Sequence, residues 1–239
     1  MNRIKPAVLS ALFLFLSCGI GEYYYLPQVP ESNINSSLTE IAVINLLDID
    51  KPEYYYATNY SIFYRIYISK EIISSIENST DRNTVNPALA RDFNSLSSYT
   101  DPSNSSFVTD ANFKNLKYFE IELEGEKVAD IFTKNGGTLR INFPTSSGSH
   151  PTVSKDGGKQ NVRLHRSSNF YLPSSERLFI NTAALTDNTN INNADVEALT
   201  DGLYAYVSMY IVARGYNNEL FTPIYGKPTH INIFRLPEN

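Results

Sequence analysis

The sequence predicts a mainly β fold, an antiparallel β-sandwich with an inserted short helix and long loops. Three observations predict it: apolar and polar residues alternate along several segments, turn-forming Gly, Asn and Pro residues separate these segments, and strands and helices do not alternate regularly. The chain has 239 residues, 42% of them hydrophobic, which is enough for a packed core. We expect a single sandwich domain over residues 38–239.

Strict alternation of apolar and polar residues marks four half-buried strands. They cover residues 60–69, 118–124, 139–143 and 203–214. Weaker alternation predicts further strands over residues 40–47, 162–166, 177–181 and 231–236. The β-branched and aromatic residues of these segments suit a pleated surface.

One segment between the strands has helical spacing instead. Asn86 can cap a helix that begins with Pro87. Three apolar residues follow at helical spacing, namely Leu89, Phe93 and Leu96. This pattern predicts a short helix over residues 87–98, and we expect a further helical turn over residues 194–199.

The N-terminus has the composition of an export signal. Arg3 and Lys5 precede an almost unbroken apolar run over residues 7–16. As a helix this run spans roughly 15 Å, about half of the hydrocarbon core of a bilayer, so it is too short to cross a membrane. A short apolar run behind a basic start indicates a signal peptide that is removed after export.

The only cysteine of the chain, Cys18, stands where this signal should end. Residues 16–18 (Leu-Ser-Cys) resemble a bacterial lipobox, although Phe15 stands where the pattern usually has Leu. The resemblance implies that residues 1–17 are removed and that acyl chains on Cys18 hold the protein at a membrane. With Cys18 acylated, residues 18–37, which are rich in Pro, Ser and Asn, form a lipidated tether. The alternative is an ordinary signal peptide, with Cys18 as a free thiol.

Two stretches resemble uncharacterised lipoproteins of the treponemal type, from spirochaetes. They are residues 62–67 (Ile-Phe-Tyr-Arg-Ile-Tyr) and the tail over residues 221–237. This resemblance implies an exported protein, anchored by lipid in the inner or outer membrane of a diderm bacterium. It implies no particular activity, because these lipoproteins are uncharacterised. The last third is also similar to the closing strand pair of fibronectin type III and immunoglobulin-like sandwiches, except that Ala205 stands where that family has Tyr.

Composition and spacing argue against several function classes. A net charge of −5 disfavours a nucleic-acid partner, which needs a basic face, and one Cys excludes an intramolecular disulfide framework. The three histidines, His150, His165 and His230, are not spaced as metal ligands, so no metal or cofactor is predicted. No nucleophile elbow is present and no carboxylate pair is selected, so we expect no enzyme activity.

Two acidic stretches are weak candidates for a cation site. The first consists of four alternating glutamates, Glu120, Glu122, Glu124 and Glu126. Its simpler interpretation is an exposed, solubilising strand face. The second is the loop over residues 187–195, in which Ile191 stands where an oxygen ligand is needed.

The placement of tyrosine decides between two functions. The predicted strand 203–214 has one aliphatic face and one face with Tyr204, Tyr206 and Tyr210. Either inserted segments cover this second face as another core layer, or it is exposed and can bind a glycan or a protein. We expect a non-enzymatic, membrane-anchored lipoprotein with a structural, adhesive or partner-binding role. The alternative is a carbohydrate- or small-ligand-binding module that uses the Tyr face.

Overall fold

The computed structural model describes residues 26–36, 40–98, 108–144, 146, 149–156, 158, 160–167, 179, 193–199, 201–218 and 221–237. The predicted signal peptide and Cys18 lie outside this part of the chain. So do most of the predicted strand 177–181 and residues 187–192 of the acidic loop.

The described chain is mainly β. In chain order the strands are β1 (Ile34–Asn35), β2 (Ile41–Asp48), β3 (Ala57–Ser69), β4 (Val108–Thr109), β5 (Phe119–Glu120), β6 (Glu122–Leu123), β7 (Asn135–Asn142), β8 (Thr152–Lys155), β9 (Val162–His165), β10 (Val196–Glu197), β11 (Tyr204–Asn217), β12 (Thr222–Tyr225) and β13 (Thr229–Arg235). The α-helices are α1 (Ser79–Val85), α2 (Pro87–Ser97), α3 (Asp110–Asn115) and α4 (Val128–Ile131).

These strands form two sheets. Sheet A has the order β1-β2-β7-β8-β9-β6, with antiparallel neighbours. Sheet B has the order β10-β3-β11-β12-β4, with β13 beside β11 and β5 beside β3. Its pairs are antiparallel except for β10 with β3. The predicted mainly β, sandwich-like architecture is confirmed.

The first hydrophobic core lies between the two sheets. Sheet A contributes alternate residues of β2 and β7, among them Ile44 and Ile141. Sheet B contributes alternate residues of β3 and β11, among them Ile66 and Met209. All four are fully buried, as the period of two predicts. The strands predicted over residues 60–69 and 203–214 are therefore confirmed as β3 and β11.

A second hydrophobic core lies on the opposite face of sheet B. It contains buried residues of β3, β11 and β13 together with apolar residues of the helical segments, such as Val85, Leu89 and Phe113. The predicted helix over residues 87–98 is confirmed as α2. Asn86 caps it by accepting a hydrogen bond from the backbone N–H of Ala88 (2.9 Å), and donates one to the carbonyl of Ile68 in β3 (3.0 Å). Sheet B is thus covered on both faces.

Two predicted elements differ from the structure. The segment 118–124 is not one strand, because β5 pairs with β3 in sheet B whereas β6 pairs with β9 in sheet A. The chain crosses between the sheets at the fully buried Ile121. The helical turn expected over residues 194–199 is wrong: Val196 and Glu197 form β10, because Val196 is buried beside β3.

Part of the predicted tether lies on the domain. Leu26 and Val29 are buried, and the carbonyl of Val29 accepts a hydrogen bond from the Thr229 hydroxyl (2.6 Å). β1 pairs with β2 of sheet A. The Pro and Ser residues predict an open spacer, but Leu26 and Val29, which lie beside Pro27 and Pro30, are buried in the domain.

Candidate functional site

The Tyr face of β11 is the first candidate of the sequence, and the structure places it under the helices. Tyr206 and Tyr210 are 1% exposed and belong to the second core, while Tyr204 is half-buried at its margin. The ring of Tyr210 packs edge-on against that of Tyr118, with 5.5 Å between the centroids. The hydroxyl of Tyr206 accepts a hydrogen bond from the backbone N–H of Ile73 (2.9 Å). This face is not an open platform for stacking a sugar.

A buried ionic network fastens α2 to the same face. The guanidinium of Arg65, in the middle of β3, donates to the carboxylates of Asp92 in α2 and Glu197 in β10. The Tyr67 hydroxyl donates to Asp92 Oδ2 (2.8 Å). Burial, first of all, and the neighbouring phenol of Tyr118 raise the pKa of Tyr67 well above its usual value. Tyr67 therefore stays protonated and acts as a donor.

A second buried network lies beside β3. Arg166 and Asp195 form a bidentate ion pair with both side chains fully buried, and the Tyr64 hydroxyl donates to Asp195 Oδ2 (2.8 Å). The backbone N–H of Ser167 in turn donates to the Tyr64 hydroxyl (2.9 Å). Both carboxylate oxygens of Asp195 are thus occupied. This residue of the acidic loop serves the fold rather than a cation.

The four alternating glutamates are divided by the crossing at Ile121. Glu120 accepts hydrogen bonds from the Ser61 hydroxyl (2.7 Å) and from Arg214 (3.2 Å). Glu124 forms an exposed ion pair with Arg163 (3.4 Å). Because Glu120 and Glu122 belong to different sheets, the glutamates do not form one continuous acidic face.

An open cleft lies where α1 and the loop after β3 meet β13. Its volume is about 290 Å³, and a second cleft of about 230 Å³ adjoins it. The polar residues lining the first cleft are Ser36, Ser75, Glu77, Arg82, His230 and Asn232. The guanidinium of Arg82 stacks on the ring of Phe93 at 3.5 Å, and His230 packs edge-on against Phe93 and Tyr210.

Three enclosed polar atoms beside this cleft have no hydrogen-bond partner among the described residues: Arg82 Nε, His230 Nε2 and Tyr210 Oη. Burial, with a smaller contribution from the charge of Arg82, lowers the pKa of His230 to about 3. His230 is therefore neutral at pH 7 and offers one donor and one acceptor nitrogen. Arg82 supplies positive charge. The arrangement suits a small anionic or hydrogen-bonding ligand.

Sequence reasoning missed this cleft for an identifiable reason. Arg82 lies on α1, and α1 was not predicted although Asn78 and Asp81 have the spacing of the capping box that the structure contains. For His230, the sequence favours a residue on a loop or strand face over a metal ligand and gives no sign of its contact with Phe93. Within the described ranges, no three His, Cys, Asp or Glu side chains are grouped so that they could hold a metal ion.

Two further findings concern membrane-spanning helices and similarity to known proteins. None of the helices in the described ranges has the length and apolar character needed to cross a membrane. No protein-family model, curated protein or solved structure matches the sequence or the fold.

Proposed function

We propose that the protein is an exported lipoprotein, held at a bacterial membrane by acyl chains on Cys18, whose β-sandwich domain binds a partner and catalyses no reaction. The observation that carries the proposal is the position of the only cysteine. Cys18 follows a basic start and a ten-residue run that is apolar except for Ser10, at the point where a signal peptide would be cleaved.

The charge of the chain makes acyl chains the required anchor. Removal of residues 1–17 takes away Arg3 and Lys5, which leaves 18 basic against 25 acidic residues and a net charge of −7. An acidic body gains nothing from anionic headgroups. Each buried CH₂ contributes about 0.8 kcal/mol, so that one acyl chain binds marginally and two or three bind durably.

The state of the buried carboxylates supports a binding role over a catalytic one. Asp92 is saturated by Arg65, Arg91 and Tyr67, and Asp195 by Arg166 and Tyr64. Groups held in this way stabilise the fold and are not poised for proton transfer. The pairing of β11 with β13 supports the finer proposal that the sandwich is of the fibronectin type III or immunoglobulin-like kind.

The test of the anchor is acylation of Cys18 in the full chain. The wild-type chain should incorporate labelled fatty acid and give the mass of a diacylated polypeptide that begins at Cys18. Cys18→Ala should remain unlabelled and keep its signal, because the acceptor sulfur is gone. Ser10→Ala, in the apolar run, is the matched control and should be processed normally. Labelling of Cys18→Ala at the wild-type level would refute the proposal.

A second candidate function is small-ligand binding, and the cleft beside His230 favours it. The Tyr face that suggested such a function is covered, but Arg82 and His230 line an open cleft, and each has an enclosed nitrogen without a hydrogen-bond partner among the described residues. The ligand class that we propose is a small anion, such as a carboxylate-bearing sugar, because the cationic side chain of Arg82 lines the cleft.

Calorimetric titration with glucuronate and with glucose tests this second function. Glucuronate should bind and glucose should not, and Arg82→Gln should abolish the binding of glucuronate. Arg163→Gln, which removes an exposed arginine elsewhere, is the matched control. Equal binding of both sugars, or binding that survives Arg82→Gln, would exclude the cleft as an anion site.

A further inference from the structure

One end of sheet B carries three exposed aromatic side chains. Tyr55 is 79% exposed, Phe221 77% and Tyr216 40%, whereas the tyrosines of the sheet centre are buried. We call these three residues the aromatic end. Large apolar side chains that stay exposed together on a folded domain commonly mark a contact surface.

The three residues are neighbours in the fold. The backbone N–H of Tyr216 donates to the carbonyl of Tyr56, next to Tyr55, at 3.3 Å. Phe221 precedes β12, whose first residue, Thr222, pairs with Asn217 at the end of β11. The aromatic end therefore lies where β3 begins, β11 ends and β12 begins.

Leu26, the first residue that the structure describes, lies at this same end. A Cβ atom at Gly215 would lie 2.8 Å from Leu26 Cδ2 and 2.6 Å from the carbonyl oxygen of Tyr56. Leu26 thus packs directly on the backbone of Gly215, between Tyr56 and β12, and a larger residue at position 215 would displace it. The Gln28 side-chain amide donates to the Thr229 hydroxyl (3.2 Å), and this hydroxyl donates to the carbonyl of Val29 (2.6 Å), which fixes the segment that follows.

The length of chain before Leu26 limits how the domain can sit on a membrane. Seven residues, 19–25, separate Cys18 from Leu26. Even when fully extended, they allow Leu26 to lie at most about 28 Å from Cys18. β11 runs from Tyr204 to Asn217, which is about 40 Å at the usual rise per residue. With Cys18 at the bilayer, the far end of β11 cannot turn to face it.

We propose that the aromatic end rests in the headgroup layer of the bilayer that holds the acyl chains of Cys18. This inference rests on the proposed anchor and adds the orientation of the domain. Aromatic side chains favour the membrane–water interface, where the ring is sheltered and a phenol stays hydrated. The charges nearby have no basic excess, since Asp50 pairs with Lys134, Lys51 lies close to Glu53 in sequence, and Glu219 stands between Tyr216 and Phe221 in the sequence. The contact is therefore with the interface itself and does not require anionic lipid.

The absence of Trp from the sequence allows a direct test. A single introduced Trp reports its own depth through quenching by brominated lipid. The full-length, acylated protein would be reconstituted into phosphatidylcholine vesicles with brominated acyl chains, as Phe221→Trp and as Tyr216→Trp. Leu203→Trp is the matched control, because Leu203 is 63% exposed and precedes β11 at the opposite end of the sheet.

Phe221→Trp and Tyr216→Trp should lose about half of their fluorescence and shift to the blue, because interfacial rings lie within reach of the bromines. Leu203→Trp should be unchanged. Equal quenching at both ends, or none at residues 216 and 221, in protein whose mass shows acylated Cys18 would overturn the orientation and leave the anchor standing. A mass without acyl chains would overturn the anchor, and the inference with it. Near-wild-type thermal unfolding of each variant shows that the fold is intact.

Discussion

The centre and the end of sheet B carry the same kind of side chain in opposite environments. In the centre, Tyr67 of β3 and Tyr206 and Tyr210 of β11 are at most 1% exposed. At the end, Tyr216, also on β11, is 40% exposed. Strand pattern alone does not produce this difference. It arises because α1, α2 and α3 cover the centre and leave the end open.

The two regions therefore have different consequences for the molecule. In the centre, burial raises the pKa of Tyr67 and Tyr210 well above the usual value and that of Tyr118 to about 12, so these phenols stay neutral and serve packing. At the end, Tyr55 and Phe221 are more than three-quarters exposed, which leaves their rings available for contact outside the domain.

The largest expected loss of stability comes from a substitution in the covered centre of sheet B. Asp92→Asn removes the fully buried one of the two carboxylates that pair with Arg65, so the free energy of unfolding should fall by about 3 kcal/mol. Asp50→Asn is the matched control, since the Asp50–Lys134 pair is exposed and should contribute no more than about 1 kcal/mol. Urea unfolding measures both. If the two variants lose the same stability, the network does not hold α2 on the sheet.

The next prediction compares the stability changes that follow removal of two buried hydroxyls, those of Tyr118 and Tyr210. The Tyr118 hydroxyl bonds to those of Tyr67 (3.0 Å) and Ser208 (3.2 Å), whereas the Tyr210 hydroxyl has no partner among the described residues. Tyr118→Phe should lower the free energy of unfolding by about 1–2 kcal/mol. Tyr210→Phe should leave it unchanged or raise it, because an unsatisfied polar atom is removed. Equal losses in urea unfolding would show that Tyr210 is bonded in solution.

The sequence identified the strands well, because alternation over many residues is a strong signal. β3, β7 and β11 lie where period two predicts them, and Asn86 and Pro87 placed α2 correctly. The sequence left open whether the Tyr face of β11 is covered, because coverage depends on segments distant in the chain. Alternation also continued smoothly through Ile121, where the chain changes sheets, since a residue buried between two sheets looks the same in either.

The candidate site was beyond sequence reasoning for a related reason. Arg82, Phe93 and His230 are separated by up to 148 positions and meet only because α1 and α2 fold back onto β13. Arg65 in the middle of a buried strand was the one visible sign of an internal charge network. The sequence supplied the charge but not its partners, Asp92 and Glu197.

His230 lies at the border of the covered region and should make stability depend on pH. Its pKa of about 3 in the folded protein is below the usual 6.5, so the unfolded chain takes up the proton first as the pH falls. Stability is therefore fully present above pH 6.5 and is lost below it, by up to about 2 kcal/mol at pH 5. His230→Phe keeps the ring contacts and cannot be protonated. The free energy of unfolding of this variant should therefore fall less between pH 7 and pH 5 than that of the wild type. Equal falls in the variant and the wild type would show that His230 is hydrated in the folded state.

The smallest expected effect lies at the aromatic end. Phe221 is 77% exposed and has a φ of 52°, a left-handed conformation that Asn adopts more readily than Phe. Phe221→Asn therefore removes little packing and relieves the backbone, so the free energy of unfolding should rise by up to about 0.5 kcal/mol in urea. A loss of more than about 1 kcal/mol would mean that the ring packs on the domain, as those of the centre do. If stability does rise, Phe at this position works against the fold, and its presence is explained by contact with a surface outside the domain.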